Sequence, residues 1–435
     1  MNRMQFVRWA AWSALVLNLP YVVTGQVLAP CDATRPCVMA IARGDLQAAL
    51  DAAPPYSTLV ADKRQELVVE KTIHVNKPVT ITGLRARLRE KLPKTPLIEI
   101  FSEGVTISDF VLTGNISTVA YEDRASLIVL RRGNFIVQNG EFLDSAKDGV
   151  MVTPLVGGGN IEHGVIRNIV GRNNARDLVS IAGLGEHGLF VRHVLVENVR
   201  CYDSRDRGAA EASDGSEFIT FRDIYSESSV YGIDVQDHNR EGQVNRNIVI
   251  DGLHVRHCIS AVRTANHNFG HTGLLIRNLV GESFRGDRTW LPLHIRNTRN
   301  VQLENIRLQG SAKGPVVHFS DIWGLVVHDL SLGDLGNMPT AVHVENVDDA
   351  LFDNVTLDNG EIHPDVGILF RISNGKHYRS LRVQNCLLET AGAWGLAIEK
   401  TGKTGSVDIL ELNSIIGKKR VDLEPRVDAS SGGQF

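Results

Sequence analysis

Six short stretches decide how this chain reads: GAAEASD (208–214), YGIDVQD (231–237), AVRTAN (261–266), PLHIRN (292–297), VVHFSD (316–321) and AVHVEN (341–346). Laid over one another, they put Glu211, Asp234, Arg263, His294, His318 and His343 in one column. Two residues on lies a second column of Ser213, Gln236, Ala265, Arg296, Ser320 and Glu345. One step further come Asp214, Asp237, Asn266, Asn297, Asp321 and Asn346. Between the columns stand apolar or small residues such as Ile233 and Val235, Leu293 and Ile295, Val317 and Phe319. Alternation with a period of two is a strand with one buried face. Repeating it predicts a stack in which the outward residues form ladders.

The same phrase extends in both directions. NFIVQNGEFLDSAKDGVMV (134–152), NIVIDGLHVRHCISAVRT (247–264), NVQLENIRLQGSAKGPVVHF (300–319) and ALFDNVTLDNGEIHPDVGILF (350–370) each read as strand, Asn/Asp turn, strand, polar turn, strand. Equivalent positions recur every roughly 22–31 residues, the range of solenoids. Asn and Asp suit the tight turn because they tolerate a left-handed backbone. A propeller needs about four strands per blade and a longer period, and a leucine-rich repeat needs its own consensus. Three short strands per turn therefore predict an all-β chain, a right-handed parallel β-helix over 65–425. Before it, DLQAALDAAPP (45–55) reads as one short amphipathic helix closed by two prolines.

At 435 residues, with 43% hydrophobic and 22% charged, the chain has material for a long core. Its formal net charge of −4 and lack of a long basic run speak against nucleic acid or an anionic membrane as main partner. The opening MNRMQFVR, then WAAWSALVLNLPYVV, has the basic start and apolar run of a secretory signal (1–25), with cleavage expected after Gly25 or Ala29. A secreted or periplasmic protein is expected, with no membrane segment after cleavage. Residues 26–64 form an N-terminal segment, and RVDASSGGQF (426–435) is a small, polar tail. Cys31 and Cys37 are close enough in sequence to bridge in an oxidising compartment, whereas Cys201, Cys258 and Cys386 read as buried thiols without zinc spacing.

Strands on adjacent coils lie about 4.8 Å apart, so column residues are neighbours in space. Glu211, Asp214, Asp234 and Asp237 crowd four carboxylates into two coils, and Arg263, His294 and Arg296 follow. Acids then bases along one axis suit an acidic sugar chain, with carboxylates at the reacting bond and arginines on the substrate's own carboxylate. Asp148 and Asp177 open the same strand on earlier coils; each is a candidate to extend the groove, with a turn former preferred. Trp290 and Trp323 flank the face as candidates for stacking on sugar rings, and 202–215 and 282–292 are long enough to wall a groove. For His318 and His343 a structural histidine ladder is preferred.

The repeat resembles the pectin-lyase-like superfamily of parallel β-helices, in which a short N-terminal helix caps the first coil. The layout is most similar to polygalacturonase-type glycoside hydrolases. There, acids occupy two coils, a histidine the next and a basic pair the one after. Glu211 and Asp214, Asp234 and Asp237, His267, then His294 and Arg296 follow that order. The family's Asn-Thr-Asp motif is represented by Ser213-Asp214-Gly215, and its basic pair by His294-Ile295-Arg296. The resemblance implies hydrolysis without a cofactor: Asp234 as acid, Asp237 or Glu211 as base, and Arg296, His267 and His294 on the substrate, with Trp290 and Tyr231 as further substrate-binding candidates. Similarity to pectate lyases implies instead calcium on Glu211, Asp214, Asp234 and Asp237, with Arg263 as base. Uronate epimerases offer a third likeness, in Tyr231-Gly232-Ile233-Asp234-Val235-Gln236-Asp237, with Gln236 where their histidine stands. Outside enzymes, a carbohydrate-binding or adhesion protein would keep the same polar ladder.

Overall fold

The computed structural model describes residues 37–41, 45–286, 291–358, 363–373, 375–388, 392–401 and 405–422. The expected signal segment, Cys31, Trp290 and the polar tail lie outside the described residues.

The chain winds as a β-solenoid of about 12 turns. Each central coil carries one short strand and one long one. Short strands stack in parallel from Ile128–Leu130 through Val150–Val152, Val179–Ala182, Gly208–Ser213, Tyr231–Gln236 and Ser260–Ala265. Long strands such as Val191–Tyr202, Ser216–Glu227 and Arg246–Arg256 stack beside them. Each long strand bends at a left-handed residue, Asn198 and Asp223 among them, so it covers two faces of the coil. These are the Asn/Asp turns read from the sequence. Their side chains also form ladders, with Asn198 Nδ2 donating to Asn168 Oδ1 at 2.9 Å and Asn168 to Asn139 at 3.0 Å.

Inward residues stack just as regularly. Val179, Ala210, Ile233, Val262, Leu293, Val317 and Val342 pair in that order, all fully buried. The core is thus one continuous apolar column, and the thiols of Cys201, Cys258 and Cys386 are free and buried at its edge. Cys37 is disulfide-bonded.

The helix Leu46–Ala52 is capped by Asp45, whose side chain accepts from Ala48 N. It buries Leu46 and Leu50, and Gln47 exchanges hydrogen bonds with the backbone of His74. Parallel pairing begins earlier than residue 65, because Val38–Ala40 pairs with Thr58–Val60 and that strand with Thr80–Thr82. Two three-residue strands carry too little period to be seen in sequence. Among the described residues no helix is long and apolar enough to cross a membrane.

What sets the middle of the solenoid apart is its corners. From Leu293 onward, short and long strands run together as Leu293–Gln309, Val317–Gly333 and Thr340–Asp358, turning at left-handed Asn297, Asp321 and Asn346. Earlier coils break that corner with loops, at 183–190, 237–245 and 266–270. These loops rise along one edge of the face that carries the acidic column.

Candidate active site

The strand register places the predicted column as read: Ser180, Glu211, Asp234, Arg263, His294, His318 and His343 are successive partners. The second column holds as well, with Ser213 opposite Gln236 and Arg296 opposite Ser320. Pairing, however, does not give exposure.

Asp234 is completely buried. Arg263 grips it with two donors, one of them Nε at 3.1 Å from Oδ1, and Arg207 Nη1 lies 3.7 Å from Oδ2. Burial and the Glu211 charge raise Asp234 above the usual carboxylate range, against the pull of Arg263. Glu211, 2% exposed, accepts from Ser213 Oγ at 2.9 Å and Gln236 Nε2 at 2.6 Å, with Arg176 Nη2 3.6 Å away.

Asp148 and Asp177, expected as turn formers, are both fully buried beneath the same face. Ser126 Oγ donates to Asp148 at 2.9 Å, and the Tyr231 hydroxyl donates to Asp177 at 2.8 Å. Burial, Glu211 and Asp148 together push Asp177 well above its ordinary range, and its Oδ2 has no hydrogen-bond partner. Tyr231, expected on the substrate, is therefore under the floor. Its ring crosses the position of Gly208, where a β-carbon would collide with the Tyr231 carbonyl and ring, and Arg263 lies 5.6 Å above it. An aromatic at this register reaches two coils back because the intervening coil has glycine.

Three arginines close over these acids. Their side chains are 20% (Arg176), 24% (Arg207) and 14% (Arg263) exposed. Burial disfavours the charge on Arg176 and Arg207, but it is outweighed, at Arg176 by Asp148, Glu211 and Asp177 and at Arg207 by Tyr231 followed by Asp177, Glu211 and Asp234, so both guanidiniums stand above their ordinary range. The floor is an acidic layer roofed by cations, the reverse of an open carboxylate groove.

Asp237 is committed to a loop. It accepts from the backbone N–H of Asn239 (2.9 Å), His267 (2.9 Å) and Asn268 (2.8 Å), and from His271 Nε2 at 2.8 Å. Asn245 N donates to His271 Nδ1, so the His271 proton sits on Nε2. Burial would raise Asp237, yet these donors overcome it and hold the group far below the usual range. The clamp fixes loops 237–245 and 266–270 together.

Asp214 is the carboxylate that meets a half-exposed partner. Its oxygens lie 2.9 and 2.8 Å from His238 Nδ1. Asp214 raises the imidazole above its ordinary value, and burial raises Asp214. The His238 side chain is 49% exposed, within electrostatic range of Glu211 and Arg207. His238 lies one residue past the quoted unit and was not among the candidates. The signal for it is Asp237-His238, an imidazole beside a carboxylate where the corner becomes a loop.

Farther along, His267 Nδ1 faces Arg296 Nη2 at 3.5 Å. His294, His318 and His343 stack with ring centroids 4.9 Å apart. Burial, then Arg296 and Arg263, push His294 down to about 4, and burial with its two neighbours pushes His318 down to about 3. At one edge of the face Arg124 Nη1 reaches Asp206 at 3.2 Å, which ties part of 202–215 to an earlier coil. Glu186 holds Arg240 at 2.9 Å and Gln243 at 3.0 Å across the other. Residues 287–290 of the second expected wall lie outside the described residues.

The four carboxylates suggested for calcium do not fit a cation cage. Each faces a protein donor, with arginines among them, and no group of three or more metal-ligating side chains converges among the described residues.

No family model matches the chain, and no curated protein matches it in sequence. Solved structures do. The mannuronan C-5 epimerase AlgE6 A-module of Azotobacter vinelandii superposes with a TM-score of 0.53 at 14% identity, covering 87% of this chain and 95% of that one. The pre-mature gene product 12 of bacteriophage phi29 gives 0.50 at 15% identity, over 83% of this chain and 52% of its own. The catalytic domain of a GH87 alpha-1,3-glucanase in complex with nigerose gives 0.40 at 13% identity, over 92% and 67%. What the likenesses to the AlgE6 A-module and to gene product 12 show is the fold alone, a parallel β-helix.

Proposed function

We propose that the protein is an exported enzyme acting on an acidic polysaccharide, and that its cleft removes the proton beside a uronate carboxylate, leading to elimination or C5 epimerisation. The observation that carries this reading is the arginine roof over buried acids. Two-carboxylate hydrolysis needs two reachable carboxyl groups about 5–9.5 Å apart across the bond. Here Asp234, Glu211 and Asp237 are each at most 2% exposed and bound to protein donors. A groove that presents guanidinium and imidazole is matched to a different task. Arg176, Arg207 and Arg263 would neutralise the substrate carboxylate and so acidify the adjacent C–H. His238, oriented by Asp214, would take the C5 proton at Nε2. In elimination the electron pair left on C5 forms the C4–C5 double bond as the C4–O bond breaks, and the departing oxygen takes a proton from water. In epimerisation water returns a proton to C5 from the opposite face. The buried acids keep the arginines charged and fixed.

Incubation with uronate-containing and neutral polysaccharides, with and without EDTA, tests the reading. Unsaturated-uronate absorbance or inverted C5 stereochemistry, insensitive to EDTA, is the expected result. New reducing ends with neither would establish the polygalacturonase-type hydrolysis implied by the sequence layout. Absorbance abolished by EDTA would restore the calcium-dependent lyase. Binding without any turnover would favour the adhesion protein.

A further inference from the structure

The loop that Asp237 clamps carries a large apolar side chain in the open. Phe269 is 64% exposed, although the backbone of His267 and Asn268 just before it is fixed by hydrogen bonds. Its ring meets Trp323 edge-on, with centroids 5.7 Å apart, and the Arg299 guanidinium covers Trp323 at 5.5 Å. Trp323 belongs to Val317–Gly333 and pairs with Arg299 of the preceding coil. The Phe269 loop therefore reaches along the solenoid to touch it. An exposed aromatic held rigidly in place has lost the freedom to hide from water, which is the cost a ligand-facing ring carries.

We infer that the exposed ring of Phe269, braced edge-on by Trp323, is a stacking platform for a sugar ring beyond the acidic column, a distal subsite of the same polysaccharide. This rests on the proposed function for the nature of the chain. Two observations choose the occupant. The platform is continuous with the cleft, because the loop bearing Phe269 also presents His267 to Arg296. It is also flanked by cations: among the described residues neither Arg296 nor Arg299 forms an ion pair, and Arg296 Nε is buried without a hydrogen-bond partner. An open aromatic face for pyranose C–H groups beside guanidiniums that no carboxylate holds matches an acidic sugar. From Asp234 to the Trp323 strand is three coil steps, about 14 Å at one strand spacing each. A short saccharide bound over Asp234 does not reach the platform, whereas a long one does.

The test is equilibrium binding of a uronate trisaccharide and hexasaccharide, and of a neutral hexasaccharide, read calorimetrically and by tryptophan emission. Wild type, Phe269→Ala and Phe269→Tyr are compared after their melting curves are shown to coincide. The expected result is hexasaccharide affinity about tenfold weaker in Phe269→Ala, a step of 1.4 kcal/mol. Trisaccharide affinity should be unchanged and Phe269→Tyr should bind as wild type. Equal loss for both lengths, or no loss for the hexasaccharide, overturns the platform. Length-dependent loss with the neutral chain alone keeps the platform and removes the acidic substrate. Absence of binding in the wild type removes both.

Discussion

Two stretches of one face obey the same register and treat it in opposite ways. From Asp148 to Arg263, stacking would bring like charges together, and the chain answers by burying the acids and threading Arg176, Arg207 and Arg263 among them. From His294 to His343 it stacks three identical rings, whose Nε2 atoms at His318 and His343 are buried without partners. The first arrangement is costly unless every member is present. The second is a ladder of neutral groups held by packing. Chemistry is placed where the repeat is hardest to maintain, and where the corners open into loops.

Removing a member of the first stretch should show that cost most strongly. Arg263→Ala leaves Asp234 buried without its main partner and should lower unfolding free energy by about 3–5 kcal/mol. Adding Asp234→Ala should return much of it, as chemical denaturation of the single and double variants would reveal. A single variant as stable as wild type would mean the pair is not buried as described.

His238→Ala should leave stability near wild type and reduce turnover by about 10²–10⁴-fold, the scale of a lost general base. Because Asp214 raises His238, Asp214→Asn should shift the basic-group limb of the pH–rate profile toward lower pH. A shift upward would contradict the pairing.

Asp237→Ala removes one acceptor from three backbone N–H groups and His271. A loss of about 2 kcal/mol is expected, with hydrogen exchange accelerated in 266–270 above other loops. Uniform acceleration would argue against a local clamp.

The histidine stretch should give the smallest effect. His318 in the fold is pushed down to about 3, below its unfolded value of about 6.5. The unfolded chain thus binds the extra proton, and stability falls as pH drops through that window. His318→Leu should change little at pH 7 and should soften the loss on acidification, measured as melting temperature against pH.

The fold was legible because its signal is repetition. Six aligned units name the strand partners, and Asn and Asp mark corners such as Asn297 and Asp321. The site was legible only as a set of positions. Alternation says that Asp234 points out of the core, but not that Arg263 and Arg207 will close over it. Arg176 and Arg207 precede their strands and fall outside the aligned window, though Arg176-Asp177 and Arg207-Gly208 occupy one register. Tyr231 reads as a surface ring until Gly208 is seen to clear its path. His238 was hidden by a loop that breaks the period.

The most direct measurement is nuclear magnetic resonance of a polyuronate in D2O with wild-type protein and with His238→Ala. The account predicts that wild type removes the C5–H resonance, through deuterium or through unsaturation, and that the variant does so at least a hundredfold more slowly. Cleavage that leaves every C5–H in place would contradict it and return the face to hydrolysis.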